Sequence, residues 1–212
     1  MKIKLSNAGK RFNREWIFRR AELEFISANA YGITGPNGSG KSTLLQSIGG
    51  MLQLSEGSIV YSNEKTVAPE DAYQHTSFCA PYLDVIEEMT LVEFLQFHHQ
   101  FKPFIPRFSV KKIIEAIGLE GAANKQIRYF SSGMKQRTKL AQAIFSDTAI
   151  VLLDEPCTNL DNKGIDLYLS LIADYCKERL VIVCSNDPVE YGFCQTIFSI
   201  LDFKNSADKM VR

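Results

Sequence analysis

The chain has 212 residues, 45% of them apolar, enough for a substantial core in one domain or one domain with a subdomain. Lysine plus arginine and aspartate plus glutamate each total 24, so the net charge is zero and no global basic field recruits nucleic acid. No apolar run approaches the ~18 residues of a membrane span, and Met1-Lys2-Ile3-Lys4-Leu5 lacks the long apolar core of a signal peptide, so a soluble, cytosolic chain is expected.

Taken in order, Ile3 and Leu5, then Trp16 to Phe18, then Leu23, Phe25 and Ile26 read as short strands separated by polar turns. Phe12 lies between the first two, either a packing residue or an aromatic that stacks on a base. Tyr31 to Thr34 reads as a strand, and Gly35-Pro36-Asn37-Gly38-Ser39-Gly40-Lys41-Ser42-Thr43 fits G-x-x-x-x-G-K-[ST]. Leu44, Leu45, Ile48, Met51 and Leu52 then recur at helical spacing, ending near Gly49-Gly50 or at Leu52. Strand, glycine-rich loop and helix are the context that gives this motif its meaning. The glycines let successive backbone N–H groups point inward at phosphate oxygens, and the helix adds its positive end. Lys41 is placed to reach the β- and γ-phosphates, and Ser42 to ligate Mg²⁺.

Further along, Gly57 to Tyr61 and His75 to Cys79 read as strands, with a polar, turn-rich stretch from Ser62 to Asp71 between them. Thr90 and Glu93 form a capping box, with Met89 and Phe94 as its hydrophobic staple. That helix runs to about Gln100, before Pro103 and Pro106. Ser109 caps a second helix carrying Val110, Ile113, Ile114 and Ile117, closed by Gly118. His98 and His99 are adjacent on a helix, point apart, and read as ordinary helix residues. The five cysteines include no C-x-x-C pair and read as free thiols.

Ser131 or Ser132 caps the next helix, which starts Ser131-Ser132-Gly133-Met134 and forms a second candidate anion site. Ala149 to Leu153 is a continuous apolar run, as in a strand buried on both faces, and it ends in Asp154-Glu155. Acids at the carboxyl end of such a strand lie where open α/β sheets bind ligands. Asp154 is the candidate Mg²⁺ ligand, and Glu155 the candidate to polarise an attacking water. Thr158-Asn159-Leu160-Asp161 leads into a helix carrying Ile165, Tyr168, Leu169, Ile172 and Tyr175. Leu180 to Cys184 is a second buried strand, followed by Ser185-Asn186-Asp187, and Thr196 to Ile200 is a last strand.

The order of phosphate loop, helical insert, serine/glycine helix start, apolar strand with Asp-Glu, and an Asn-Leu-Asp loop resembles the ATP-binding cassette (ABC) transporter ATPases, over nearly the whole chain. The resemblance implies an α/β fold: a P-loop NTPase core with an N-terminal antiparallel β region and an inserted helical subdomain at about 83–146. Residues 1–212 would form a single nucleotide-binding domain. It implies ATP and Mg²⁺, with ATP held by Phe12 at the adenine and by residues 37 to 43: Asn37, Gly38, Ser39, Gly40, Lys41, Ser42 and Thr43. Ser42 and Asp154 are the implied metal ligands, Glu155 the catalytic residue, and Asp161 part of the D-loop. Ser131, Ser132 and Gly133 are the implied signature residues, with Ser131 and Gly133 reaching the γ-phosphate of ATP bound at a second copy.

Three departures stand out. The signature is usually L-S-G-G-Q, where this chain has Phe130-Ser131-Ser132-Gly133-Met134. Ala80-Pro81-Tyr82 occupies the junction where the family has a glutamine, and Asn186 stands where it has a γ-phosphate histidine. Asn186 is therefore a weak switch position, and ATP binding is expected more firmly than rapid hydrolysis. The implied function is an ATP-hydrolysing subunit that dimerises around two ATP and drives a separate integral-membrane permease. It would work on the cytoplasmic face, with no nucleic-acid partner, and the short chain and its signature resemble compact exporter ATPases, including those associated with cytochrome maturation. The alternatives are a regulatory ATP-binding module with little turnover and a soluble ABC ATPase of repair or translation.

Overall fold

Residues 2 to 26 fold into one long antiparallel hairpin, β1 (Lys2–Phe12) against β2 (Glu15–Ile26). The several short strands expected here are thus two long ones. Register shifts between Leu5 and Arg11, with left-handed backbone at Asn7 and Arg20, interrupt the simple alternation and make one strand look like two. The computed structural model describes residues 1–63 and 65–204.

β3 (Ala30–Thr34) leads through the glycine-rich loop into α1 (Lys41–Ile48). The helix stops at Gly49, so Met51 and Leu52 lie beyond it, and Met51 is exposed rather than on a buried face. β4 (Glu56–Asn63) pairs with the other edge of β1, and β5 (Lys65–Val67) continues that sheet within the stretch read as polar and turn-rich. The result is a four-stranded antiparallel sheet, β2-β1-β4-β5.

After β6 (Thr76–Cys79) the chain becomes helical: α2 (Leu91–Phe101), α3 (Val110–Ala116) and α4 (Ser132–Phe145). The Thr90–Glu93 capping box forms in both directions, and Ser109 accepts from the Lys112 N–H. Gly118 takes φ +66° just past the end of α3, the left-handed turn that favours glycine. β7 (Ile150–Asp154), α5 (Asn162–Tyr175), β8 (Leu180–Cys184), the one-turn α6 (Pro188–Tyr191) and β9 (Thr196–Ser199) complete the core. Its sheet is five-stranded and parallel, in the order β6-β7-β8-β3-β9.

The parallel sheet divides the apolar core in two. Ile150, Leu152, Leu180 and Ile182 face α1 and the antiparallel sheet, packing with Ile3, Leu5, Phe18, Phe25, Leu44 and Ile48. Val151, Leu153, Val181 and Val183 face the other side, packing with Leu140, Ile144, Phe145, Tyr168 and Leu171 of the helical layer. Every residue of β7 and β8 is buried, which is what a continuous apolar run requires of a parallel strand covered on both sides.

His98 is more than an ordinary helix residue. Gln142 of α4 donates to its Nδ1 and its Nε2 meets Ser146 Oγ, both at 2.9 Å, so the ring joins α2 to α4 as a neutral imidazole. Burial lowers its pKa from 6.5 to about 4, with Lys102 and His99 adding to the effect. A folded-state pKa below the unfolded value means that the unfolded chain binds the proton first, so stability falls as pH drops from about 6.5 toward about 4. Urea unfolding of the wild type and His98→Gln across that window should show a shallower loss in the variant; parallel curves would contradict the assignment.

Candidate phosphate-binding site

Four neighbouring strands run the same way, so their carboxyl ends open on one edge of the sheet. β3 delivers the loop at 35–40, β7 delivers Asp154 and Glu155, β8 delivers Ser185 and Asn186, and β6 delivers Ala80 to Tyr82. This is the edge at which open α/β sheets bind ligands.

Gly40 takes φ +103°, and a Cβ there would lie 2.3 Å from Ile17 Cγ2, so a side chain would push the β-hairpin off the loop. Gly38, at φ +71°, has open space around it and is required by its conformation alone. Lys41 is 5% exposed, and its Nζ donates to Gly35 O at 2.7 Å, Pro36 O at 3.3 Å and Asn186 Oδ1 at 3.4 Å. Asn186, though exposed, also donates from Nδ2 to Asn37 Oδ1 at 2.7 Å, which closes a ring of polar contacts around the ammonium. Ile17, residues 37 to 43 and Glu155 line a cavity of about 220 Å³. A roomier cleft of about 380 Å³, between α5 and the β3–β8 side, shares no residue with the phosphate loop.

Asp154 is 2% exposed, and neither of its carboxylate oxygens has a hydrogen-bond partner. Burial raises its pKa and the Glu155 charge adds to the rise; the Ser42 and Tyr82 hydroxyls and the Lys41 ammonium oppose it. A buried carboxylate with two open oxygens, beside a serine hydroxyl, is a fitting donor set for a hard, oxygen-seeking cation. No cluster of three or more His, Cys, Asp or Glu side chains exists among the described residues. Mg²⁺ takes one or two protein oxygens and completes its shell with phosphate oxygens and water, a demand that Ser42 and Asp154 could meet.

Glu155 is half-buried and holds left-handed backbone at φ +43°, a conformation that costs about 1–3 kcal/mol in a non-glycine residue. The strain is held by its N–H donating to Cys184 O at 2.9 Å and by the Thr158 hydroxyl donating to its carbonyl at 2.9 Å.

Ser131, rather than Ser132, caps α4, its Oγ accepting from the Met134 N–H at 3.2 Å. Ser131 and Ser132 are exposed, Gly133 is half-buried, and none of the three lines the phosphate-loop cavity of its own chain. The start of α4 is nonetheless tied to the acid pair: buried Gln136 donates to Pro156 O at 2.7 Å. A Cβ at Gly133 would sit 3.1 Å from Asn159 O, so the signature segment and the Asn-Leu-Asp loop lie against each other. Asp161 caps α5 through the Gly164 N–H at 2.8 Å and pairs with Arg137 at 3.6 Å. Phe12, near the hairpin tip, is 48% exposed under the Lys10 ammonium and does not line the cavity; the hairpin contributes Ile17 there instead.

Three features escape sequence reasoning. Ile17 sits under Gly40 only because the hairpin folds back. Tyr82 reaches the acid pair from β6 and is hydrogen-bonded by Gln46 of α1. Glu190 is buried and accepts from the Cys157 N–H at 2.7 Å, bracing the segment after the acid pair from α6. Of these, only Tyr82 carried a signal, as part of the junction that lacks the family glutamine.

The loop, lysine and acid pair on one sheet edge define a nucleotide-binding P-loop protein. The pattern of the ABC transporter family matches residues 18–158, and the chain belongs to that family as an ATP-binding cassette. It is 31% identical over 203 residues to YybJ of Bacillus subtilis, an uncharacterized ABC transporter ATP-binding protein, covering 86% of this chain and 89% of that one. It is 29% identical over 197 residues to CcmA of Rhizobium etli, a cytochrome c biogenesis ATP-binding export protein, covering 89% and 90%. In structure it superposes on the ATP-binding cassette MJ0796, solved as a dimer in a post-hydrolysis state with ADP and Pi, with a TM-score of 0.81 at 22% identity over 96% of each chain.

A buried carboxylate without partners destabilises the empty fold. Asp154→Asn removes the charge at constant shape, so at neutral pH the nucleotide-free variant should unfold at higher urea than the wild type while losing metal-dependent ATP binding. Equal or lower stability would mean that the carboxylate is already satisfied.

Proposed function

We propose that this chain binds ATP with Mg²⁺, closes head-to-tail with a second copy around two ATP, and hydrolyses them to drive a separate integral-membrane permease. The observation that carries the reading is a mismatch between the two anion-binding features. The phosphate loop lines only about 220 Å³, below the roughly 300–1,000 Å³ of an enclosing ligand site. Meanwhile the helix start at Ser131 to Gly133, exposed at its two serines, does not line that cavity. Each is half of a site, and two copies head-to-tail would complete both.

In this reading the N–H groups of residues 38 to 43 bind the phosphates, and Lys41 exchanges its loop carbonyls for β- and γ-phosphate oxygens. Ser42 and Asp154 would hold Mg²⁺, which neutralises charge on those oxygens when bound. Glu155 polarises the attacking water, its strained backbone fixing where the carboxylate enters the cavity. Asn186 supplies a neutral donor at the γ-phosphate, Phe12 an aromatic face for adenine, and Asp161 a contact beside the partner's signature segment. Ser131 and Gly133 donate to the γ-phosphate of the partner's nucleotide, with Ser132 between them, and closure excludes water.

No helix among the described residues is long and apolar enough to cross a membrane, and in this reading coupling to transport runs through a partner. Residues 81–88, between sheet and helical layer, expose Tyr82, Leu83 and Ile86 and are the proposed docking surface for a permease at the cytoplasmic face. Relatives include a lantibiotic transport protein and a glutamate/aspartate import protein, so related cassettes serve different cargoes. Zero net charge supports no nucleic-acid partner. One observation favours a second reading, a regulatory module with little turnover: Asn186 engages Lys41 in the nucleotide-free chain.

Turnover decides between them. Purified wild type should hydrolyse ATP, and Glu155→Gln should lose about 10²–10³ in kcat while elution in ATP shifts to the dimer. Asn186→His should raise kcat. No measurable wild-type turnover, with intact ATP binding, would select the regulatory module.

A further inference from the structure

One peptide group in the turn after β7 is gripped from both sides. Pro156 O accepts from Gln136 Nε2 of α4 at 2.7 Å, and the N–H of the next residue, Cys157, donates to Glu190 Oε1 of α6, also at 2.7 Å. These are the C=O and the N–H of the same planar unit, so the unit cannot turn without breaking both bonds. Pro156 alone separates it from Glu155, and the proline ring fixes φ at about −65°. The orientation of the 156–157 peptide group therefore carries to the Glu155 backbone, whose left-handed φ of +43° persists only where its surroundings impose it.

Glu190 makes this contact under unfavourable terms. It is buried, and its Oε2 has no partner, so the bond from Cys157 is the one its carboxylate makes among the described residues. A buried carboxylate with an open oxygen works against folding. Its backbone is nonetheless firmly placed. The buried Tyr168 hydroxyl of α5 donates to Glu190 O at 2.8 Å, and the Glu190 N–H donates to Asp187 O at 3.0 Å. Asp187 follows Asn186, so the brace grows from the same short segment that sets Asn186 against Lys41. Glu190 does not line the phosphate-loop cavity.

We propose that Glu190 is a positioning residue for hydrolysis, its carboxylate fixing the 156–157 peptide group so that Glu155 is held toward the attacking water. The inference rests on the proposed hydrolysis at Glu155 and adds a residue that acts through it. Loss of the brace should lower kcat and leave ATP affinity unchanged.

Glu190→Met keeps the length of the side chain without an acceptor, and Glu190→Gln keeps the acceptor. In ATPase assays Glu190→Met should lose about 10²-fold in kcat, the loss that a displacement of about 1 Å brings, with the Kd for ATP in EDTA unchanged. Glu190→Gln should recover most of it. Added to Glu155→Gln, Glu190→Met should cost nothing further in single-turnover rate, because it acts through the Glu155 carboxylate. Hydrogen exchange read by mass spectrometry should quicken across residues 155–160 in Glu190→Met and slow again in Glu190→Gln. Should Glu190→Met not fold, Tyr168→Phe frees α6 from behind and should lower kcat by a smaller factor, again only while Glu155 is present. Unchanged kcat in Glu190→Met (or, where that chain does not fold, in Tyr168→Phe), a Glu190→Gln chain as slow as Glu190→Met, or a loss that persists in full in the Glu155→Gln background overturns the proposal. A wild type that binds ATP without turnover would instead overturn hydrolysis at Glu155, and the brace's role with it.

Discussion

A strand buried on both faces can carry polar groups only at its ends, and that constraint places the chemistry of this protein. β7 and β8 have no exposed residue, so their functional side chains are confined to the last residue or the turn beyond it. Because β6, β7, β8 and β3 are parallel neighbours, four such ends fall side by side. Tyr82, Asp154, Asn186 and the phosphate loop thus become adjacent although up to about 150 positions separate them in the chain, as the Asn37–Asn186 hydrogen bond records. The antiparallel sheet then covers the face of the parallel sheet that carries α1 and supplies Ile17 against Gly40.

The same edge is where the fold departs from its own best stability. Asp154 is buried without partners, Ser39 Oγ is buried without a partner, and Glu155 keeps left-handed backbone. Each is unfavourable alone, and elsewhere most buried polar groups are satisfied: Arg179, for instance, donates to Thr148 O and Ile144 O. Unsatisfied oxygens gathered at one ring of loops, around a lysine occupied with its own loop carbonyls, are the groups that the proposed cation and phosphate oxygens would engage. The surrounding hydrogen bonds, Gln136 to Pro156 and Cys157 to Glu190, hold the loop after β7 in that unfavourable state.

Sequence reading recovered what depends on local chemistry. The phosphate loop, the Thr90–Glu93 box, the Ser109 cap and the doubly buried strands all follow from spacing and residue type, since each forms within a few residues. What it missed depends on pairing across the fold. The β1–β2 hairpin was fragmented because bulges disturb its period. Met51 looked like a helix-face residue although α1 had already ended at Gly49. His98 looked ordinary because its partners, Gln142 and Ser146, come from another helix. Gln46 and Tyr82 share a hydrogen bond but lie 36 positions apart, and nothing in either segment announces the other.

Under the proposed function, Asn186 has consequences before any chemistry begins. Its amide accepts from Lys41 and donates to Asn37, so in the nucleotide-free chain it belongs to the ring that holds the lysine. A cationic side chain could not take that place, because it would face the Lys41 ammonium at hydrogen-bond distance; a neutral amide with both a donor and an acceptor can. ATP entry must then release Lys41 from two carbonyls and one amide oxygen, and the phosphates replace all three with charge-assisted contacts. The amide group freed by that exchange keeps one donor for the γ-phosphate but cannot gain positive charge as the transition state develops. Substitution at this position therefore acts on both ends of the cycle: it steadies the empty loop and weakens the electrostatic help available at hydrolysis. In the proposed cycle, such a site would turn over slowly while binding soundly.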